Sequence, residues 1–112
     1  MTTPGQDAAN EAIERVEQHA DPNWMAYARM TLSALVGIRD RFTSDDVWDL
    51  LERLYPEVKT HERRAMGAVM RYGIRMGWCE RSGEWQDSTR TVCHGRPVAV
   101  YRSLVIHQAQ AA

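Results

Sequence analysis

The sequence is poor in the features that would place a protein in a membrane or outside the cell. No apolar run approaches the roughly 18 residues that a transmembrane helix needs. The first ten residues carry neither the basic nor the apolar region of a secretory signal. Only two cysteines occur, Cys79 and Cys93, and without an export signal we expect both to be reduced thiols. These absences predict a cytoplasmic protein with no membrane partner.

The signatures of common enzyme and metal sites are also missing. There is no Gly-rich phosphate loop and no Ser–His–Asp order, so no nucleophile with a supporting base can be assembled, and we expect no enzyme. Cys79, Cys93, His94 and His61 contain no close Cys-x-x-Cys pair. Cys93 and His94 are adjacent, and adjacent strand residues point to opposite faces. Two small buried or half-buried thiols explain the cysteines better than zinc does, and we predict no metal and no cofactor.

The charge is distributed unevenly along the 112 residues, which are expected to form one domain. Residues 1–57 hold five arginines against eleven acids, a balance of 5 − 11 = −6. Residues 58–112 hold eight arginines and one lysine against four acids, a balance of 9 − 4 = +5. Some of these charges neutralise each other within the fold. The remainder predicts a basic surface on the C-terminal half.

The N-terminal part predicts a loose extension followed by a core helix. We expect residues 1–10 to be disordered, and Glu11–His19 to be helix-prone with only a thin apolar stripe. Asp21-Pro22-Asn23 interrupts this piece, which forms either a free arm or half of a dimer contact. Asn23 is the predicted cap of a helix that runs to about Ile38. Its core residues recur at helical spacing and are Trp24, Tyr27, Ala28, Leu32, Leu35 and Val36.

A short strand and a second helix follow. Arg41–Thr43 is long enough for a minimal strand, and Thr43-Ser44-Asp45-Asp46 is a strong helix start. That helix is predicted to run to about Leu54. Asp45, Asp46 and Asp49 resemble a metal-binding cluster only superficially, because a helix N-terminus favours acids without any metal. A link of about five residues, containing Pro56, leads to the next helix.

The third helix, Thr60–Met76, has two dissimilar faces. At about 100° per residue, one side is apolar and requires a core; it comprises Ala65, Met66, Val69, Tyr72, Gly73 and Met76. The opposite side carries Arg64, Gly67, Arg71 and Arg75, with Arg63 near the boundary. Thr60 is the predicted N-cap, and the only acid, Glu62, is placed in the first turn. The arginine row either faces a polyanion, since Arg binds phosphate in a fixed fork, or pairs with acids of neighbouring elements.

The C-terminal part predicts a β-hairpin. Trp78–Arg81 and Pro97–Leu104 read as strands, joined by a polar loop over residues 82–97. Trp85 in this loop stacks on a nucleotide, inserts into a partner, or folds back over the hairpin, of which we favour the last. Residues 105–112 form a tail. Helix, strand, two helices and a hairpin make an α+β winged helix-turn-helix domain over residues 23–104, with residues 1–22 as an extension.

Five spaced segments carry a family resemblance. They are Phe42–Trp48, Arg64–Met70, Gly77-Trp78, His94–Val98 and Tyr101–Leu104. Together they resemble small winged-helix proteins of actinobacterial phages and prophages, over about residues 24–104. Members of that group are mostly described only as DNA-binding, so the resemblance implies a phage regulator or accessory factor in a bacterial cytoplasm, bound to double-stranded DNA.

The resemblance also implies which residues contact DNA. In winged helices that bind DNA, the second helix of the helix-turn-helix enters the major groove and the wing contacts backbone or minor groove. Carried over, the expected contacts are Thr60, His61, Arg63, Arg64, Gly67, Arg71, Arg75, Arg90, His94 and Arg96. The helix departs from the common pattern because its polar face lacks Asn, Gln and Ser, which often read base edges. Binding is therefore expected to be mainly electrostatic.

Two further hypotheses stay open on sequence grounds. Many winged helices bind proteins instead of nucleic acid, and the acidic first half, Trp85 and Glu11–His19 are compatible with a module that binds a host protein. A homodimer through the N-terminal helices is compatible with either function.

Overall fold

Three helices and a three-stranded antiparallel sheet make up the part of the chain described here. A computed structural model describes residues 22–60, 62–91 and 94–106. In chain order the elements are α1 (Pro22–Val36), β1 (Arg41–Phe42), α2 (Ser44–Leu54), α3 (Ala65–Arg75), β2 (Cys79–Asp87) and β3 (Pro97–Ser103). The α+β class is confirmed, and the arrangement is compatible with a winged helix. The predicted extension over residues 1–21, His61, Cys93 and the tail after residue 106 lie outside the described residues.

The first two helices form largely where the apolar spacing predicts them. The predicted core residues of α1 are buried, except that Tyr27 is half-buried. Pro22 takes the first helical position, where its missing N–H costs nothing, so Asn23 lies inside the helix and its prediction as a cap was wrong. Thr43 caps α2 as predicted: its hydroxyl accepts from Asp45 N–H, and the Asp46 carboxylate accepts from Thr43 N–H at 2.8 Å.

Helix α3 is shorter than predicted, and the link before it is correspondingly longer. The helix begins at Ala65, so residues 55–64 separate it from α2. The reason is local bonding, because the Thr60 hydroxyl accepts from Glu62 N–H at 3.1 Å and closes a turn instead of capping a helix. Ala65, Met66, Val69 and Gly73 are buried as predicted, together with Ala68 and Met70. Met76, predicted to be apolar core, is 53% exposed, because α3 ends at Arg75 and Gly77 turns the chain with φ 75°.

The sheet has the order β1–β3–β2, with β3 in the centre. Strand β2 extends to Asp87, so much of the predicted polar loop is strand. A bulge makes this possible: Arg81 pairs with Tyr101 and Trp85 with Ala99, leaving Ser82, Gly83 and Glu84 opposite a single residue. The Ser82 hydroxyl donates to the carbonyl of Val100 at 2.7 Å. Trp85 stays 63% exposed, so the interpretation that it folds back over the hairpin was wrong.

Helix α3 and strand β2 meet the core at a small cluster around Cys79. A Cβ built at Gly73 would lie 2.6 Å from Leu32 Cδ2 and 3.3 Å from Cys79 Sγ. Glycine is therefore required for the close packing of α3 against α1. Cys79 is 1% exposed, as the sequence predicted for a buried thiol.

The burial of Cys79 predicts a loss of stability at alkaline pH. Burial removes solvation from the thiolate and raises the pKa of Cys79 from 9.0 to about 11. Because the folded state prefers the neutral thiol, its stabilisation is complete below pH 9 and is lost as pH rises towards 11. The pKa of Tyr101 is raised as well, chiefly by burial. We expect the free energy of unfolding, measured by urea titration, to fall between pH 9 and 11.

The variant Cys79→Ala isolates the thiol from the other titrating groups. The difference in stability between this variant and the unsubstituted protein should shrink by about 2 kcal/mol across that pH range, since one pKa unit corresponds to about 1.4 kcal/mol and the thiol is half ionised at pH 11 in the folded state. Tyr101 titrates in both proteins, and its contribution cancels except for the part of its raised pKa that comes from the Cys79 charge, the smallest of its causes. Parallel pH curves for the two proteins would contradict the assignment to Cys79.

Candidate nucleic-acid interface

The exposed face of α3 carries four of the predicted contact residues in one row. Arg64, the N-cap residue, and Gly67 and Arg75 are exposed, and Arg71 is half-buried. From position 64 to position 75 the row spans about 16 Å at 1.5 Å per residue. The buried face of the same helix packs mainly against α1, so packing of α3 orients the row outwards. The structure thus brings four of the ten predicted residues onto one surface.

Arg64 is paired within its own segment, with the one acid that the sequence places there. Glu62 precedes the helix, and its carboxylate accepts from the Arg64 backbone N–H at 3.0 Å and from Nε at 3.1 Å. The hydrogen bonds from the Arg64 side chain and backbone lower the pKa of Glu62, and Glu62 raises the pKa of Arg64. The Arg64 side chain is 79% exposed. Such an exposed pair is weak, so a phosphate can displace Glu62.

Two aromatic side chains lie beside the C-terminal end of the row. Tyr72 and Trp78 meet edge to face with ring centroids 5.4 Å apart. The guanidinium of Arg75 lies 5.9 Å from the centroid of the Tyr72 ring, and that of Arg29 lies 4.2 Å from it on the α1 side. These cation–π contacts limit the rotamers of Arg75 while leaving it exposed.

Gly67 leaves open space in the middle of the row. A Cβ built on it would meet nothing within 4 Å, so the protein's own packing does not require glycine at this position. This contrasts with Gly73 on the buried face. A helical glycine that packing does not require costs stability relative to alanine, by about 0.5–1 kcal/mol. The missing side chain instead allows a ligand to approach the backbone closely.

Residues from the link before α3 extend the surface only in part. Arg63 is exposed, and it borders a cavity together with Lys59 and Thr60. Thr60 is half-buried, with its hydroxyl bonded within its own turn. Arg63 is thus available at the end of the row, whereas the structure gives Thr60 a local role. His61 lies outside the described residues.

The tip of the hairpin presents two of the three predicted wing residues. His94 and Arg96 are both exposed and flank Gly95. His94 takes a left-handed conformation with φ 50°, and Gly95 follows with φ 73°, so the chain reverses sharply here. The carbonyl of Arg96 accepts from Ser88 N–H at 2.8 Å, which closes the base of the loop.

Arg90, the third residue predicted to contact DNA from the wing, is bound to acids of α2. Its guanidinium donates to Asp49 at 3.0 Å and to Glu52 at 2.7 Å, and it lies 5.3 Å from the ring centroid of Trp48. Its side chain is only 19% exposed. Hydrogen bonding to Glu52 is the main cause of its raised pKa. The prediction of Arg90 as a DNA contact is therefore replaced by a structural role, the attachment of the loop between β2 and β3 to α2.

Asp45 completes this attachment, and sequence reasoning missed its role. The carboxylate is 3% exposed and accepts from the Ser88 hydroxyl at 2.8 Å and from Thr89 N–H at 2.9 Å. Three acids lie on one face of α2, because they are separated by four and then three residues along the helix; they are Asp45, Asp49 and Glu52. The spacing was visible in the sequence, but the partners lie more than 35 positions away along the chain. These three acids hold residues 88–90, the part of the β2–β3 loop that follows β2, against α2.

Comparison with known proteins found no relative of this chain. No family model, no curated protein and no solved structure matches the chain. None of the described helices has the length and apolarity needed to cross a membrane. Within residues 22–60, 62–91 and 94–106, no three His, Cys, Asp or Glu side chains are grouped so that they could hold a metal ion.

Proposed function

We propose that the protein is a winged-helix protein that binds double-stranded DNA, with α3 in the major groove and the 94–96 tip against the backbone or minor groove. The observation that carries the proposal is the arginine row on the outward face of α3, with Gly67 between its members. Guanidinium groups fit phosphates and guanine edges, and a helix fits the width of the major groove. A phage-type regulator or accessory factor is the role that agrees with the resemblance noted in the sequence.

The mode of binding follows from the side chains on that face. Arg64, Arg71 and Arg75 neutralise phosphates, which fixes the position of the helix on the duplex. The row contains no Asn or Gln to read adenine edges, so any sequence preference rests on arginine contacts to guanine and on DNA shape. We infer binding that is strongly salt-dependent and only weakly selective for sequence.

Fluorescence anisotropy of a labelled duplex at 50 and 200 mM salt tests this proposal. The three phosphate contacts of the row alone give a log–log slope of about −2.7, so a fourfold rise in salt should weaken binding by at least about 40-fold. The double variant Arg71→Ala/Arg75→Ala should reduce that slope by about 1.8 units, because two contacts are lost. It should also bind more weakly at the lower salt concentration.

A matched control removes an arginine from a different surface. Arg53→Ala changes the charge in the last turn of α2, on a different helix from the α3 row, and should leave both affinity and slope close to those of the unsubstituted protein. Circular dichroism establishes that each variant is folded. If the Arg71/Arg75 double variant is folded and binds DNA as well as the Arg53 variant does, the α3 row is not the binding surface.

One observation supports the alternative, a module that binds a host protein. The exposed residues of α1 carry no charge; they are Pro22, Asn23, Ala26, Met30, Ser33 and Ala34, and the exposed Gly37 and Ile38 follow directly after the helix. Met30 and Ile38 are 55% and 68% exposed. An uncharged helix face of this kind is typical of a protein contact. Absence of DNA binding at 50 mM salt in a folded preparation would favour this alternative.

A further inference from the structure

A cavity of about 280 Å³ opens between α2, the link before α3 and the wing loop. Its apolar wall is formed by Trp24, Trp48, Leu51 and Val58. Trp24 and Trp48 meet with ring centroids 5.4 Å apart, and Trp24 is buried whereas Trp48 is half-buried. The volume lies just below the lower end of the usual range for small-molecule sites, about 300–1,000 Å³. A single ring fits such a space better than a nucleotide does.

The rim of the cavity is basic. Lys59, Arg63 and Arg90 line it against one acid, Glu52, which Arg90 already binds at 2.7 Å. Lys59 and Arg63 are exposed, and no ion pair of either is found with another described residue. The apolar wall and the two cations therefore face one space, and an aromatic ring that carries one negative charge complements both.

We propose that this cavity binds a small aromatic carboxylate, whose ring packs against Trp48 and whose carboxylate meets Arg63 and Lys59. Arg63 supplies a planar fork that matches a carboxylate, and Lys59 adds a second positive charge. Arg90 is fixed over Trp48 by Asp49 and Glu52, so the wall is already arranged before the ligand enters.

The position of the site couples it to DNA binding, and this part rests on the proposed function. Arg63 belongs both to the cavity and to the end of the arginine row. A carboxylate bound to Arg63 competes with phosphate for the same guanidinium. The ligand then weakens DNA binding, and DNA weakens ligand binding by the same factor.

The binding experiment contains no DNA, so its failure is separate from failure of the proposed function. Benzoate is titrated into the full chain while the indole N–H signals are followed by two-dimensional NMR, with Trp48→Phe identifying the signal of Trp48. Saturable shifts of that signal are expected, with a dissociation constant of about 1 mM or tighter for a ligand of this size. Two matched compounds separate the contributions: cyclohexanecarboxylate keeps the charge without the aromatic face, and benzamide keeps the ring without the charge.

Variants assign the charge contacts. Arg63→Gln and Lys59→Gln alter exposed side chains, so the fold should persist, and each should weaken benzoate binding about tenfold, whereas Arg53→Gln should not. Cyclohexanecarboxylate and benzamide should both bind more weakly than benzoate. The proposal is overturned if benzoate does not shift the Trp48 signal, if benzamide binds as well as benzoate, or if the Arg63 variant binds benzoate unchanged.

Discussion

Replacing Asp45 with alanine should lower the free energy of unfolding by about 3 kcal/mol, because a buried donor that loses its acceptor costs about 1–3 kcal/mol. Two donors lose their acceptor at once, the Ser88 hydroxyl and Thr89 N–H. Ser88 is itself 8% exposed, so water replaces the carboxylate poorly. In a domain of about 100 residues this corresponds to a fall in melting temperature of roughly 10–15 °C. Differential scanning calorimetry measures both quantities.

Matched variants distinguish this contact from a general charge effect. Asp87→Ala removes an exposed acid from β2 and should change stability by less than about 0.5 kcal/mol. In a double-mutant cycle, Asp45→Ala and Ser88→Ala should be clearly non-additive, since each breaks the same hydrogen bonds. A loss below about 0.5 kcal/mol for Asp45→Ala, or additive losses in the cycle, would disprove that Asp45 anchors Ser88 and Thr89 to α2.

Replacing Gly67 with glutamate should weaken DNA binding by at least about 100-fold while the fold is retained. A carboxylate here stands four residues before Arg71, where it pairs with that guanidinium, and it faces the phosphates that the arginine row is proposed to bind. Juxtaposed like charges cost several kcal/mol, and about 2.7 kcal/mol is a factor of 100 in affinity. The protein itself has room, because a Cβ at Gly67 meets nothing within 4 Å. Anisotropy at 50 mM salt measures the loss.

The same position offers its own controls. Gly67→Ala tests close approach alone and should weaken binding less than Gly67→Glu, whereas Gly67→Gln adds the length of the side chain without its charge. All three variants should be at least as stable as the unsubstituted protein, because alanine, glutamate and glutamine all have a higher helix propensity than glycine. A Gly67→Glu protein that is stable and binds DNA with unchanged affinity would exclude α3 from the DNA surface.

The local signals of this chain determined most of its helical structure. Buried positions of α1 follow from apolar spacing, and the start of α2 follows from Thr43 and Asp46, because capping and periodicity depend only on residues within about four positions. The outward direction of Arg64, Gly67, Arg71 and Arg75 follows from the same periodicity. For this reason the candidate surface on α3 was predictable from sequence alone.

Contacts between distant residues decided the rest. The sequence showed Arg90 as a cation with no identifiable partner and Asp45 as an acid in the first turn of a helix. Only the packing of residues 88–90 on α2 shows that both side chains hold this loop in place. The bulge at Ser82–Glu84, which extends β2 to Asp87, depends on pairing with β3. The cavity beside Trp48 likewise draws its lining from residues 24 to 90. Sequence periodicity therefore determined which face of α3 is basic, whereas long-range hydrogen bonds and packing decided that Arg90 binds Asp49 and Glu52 of α2.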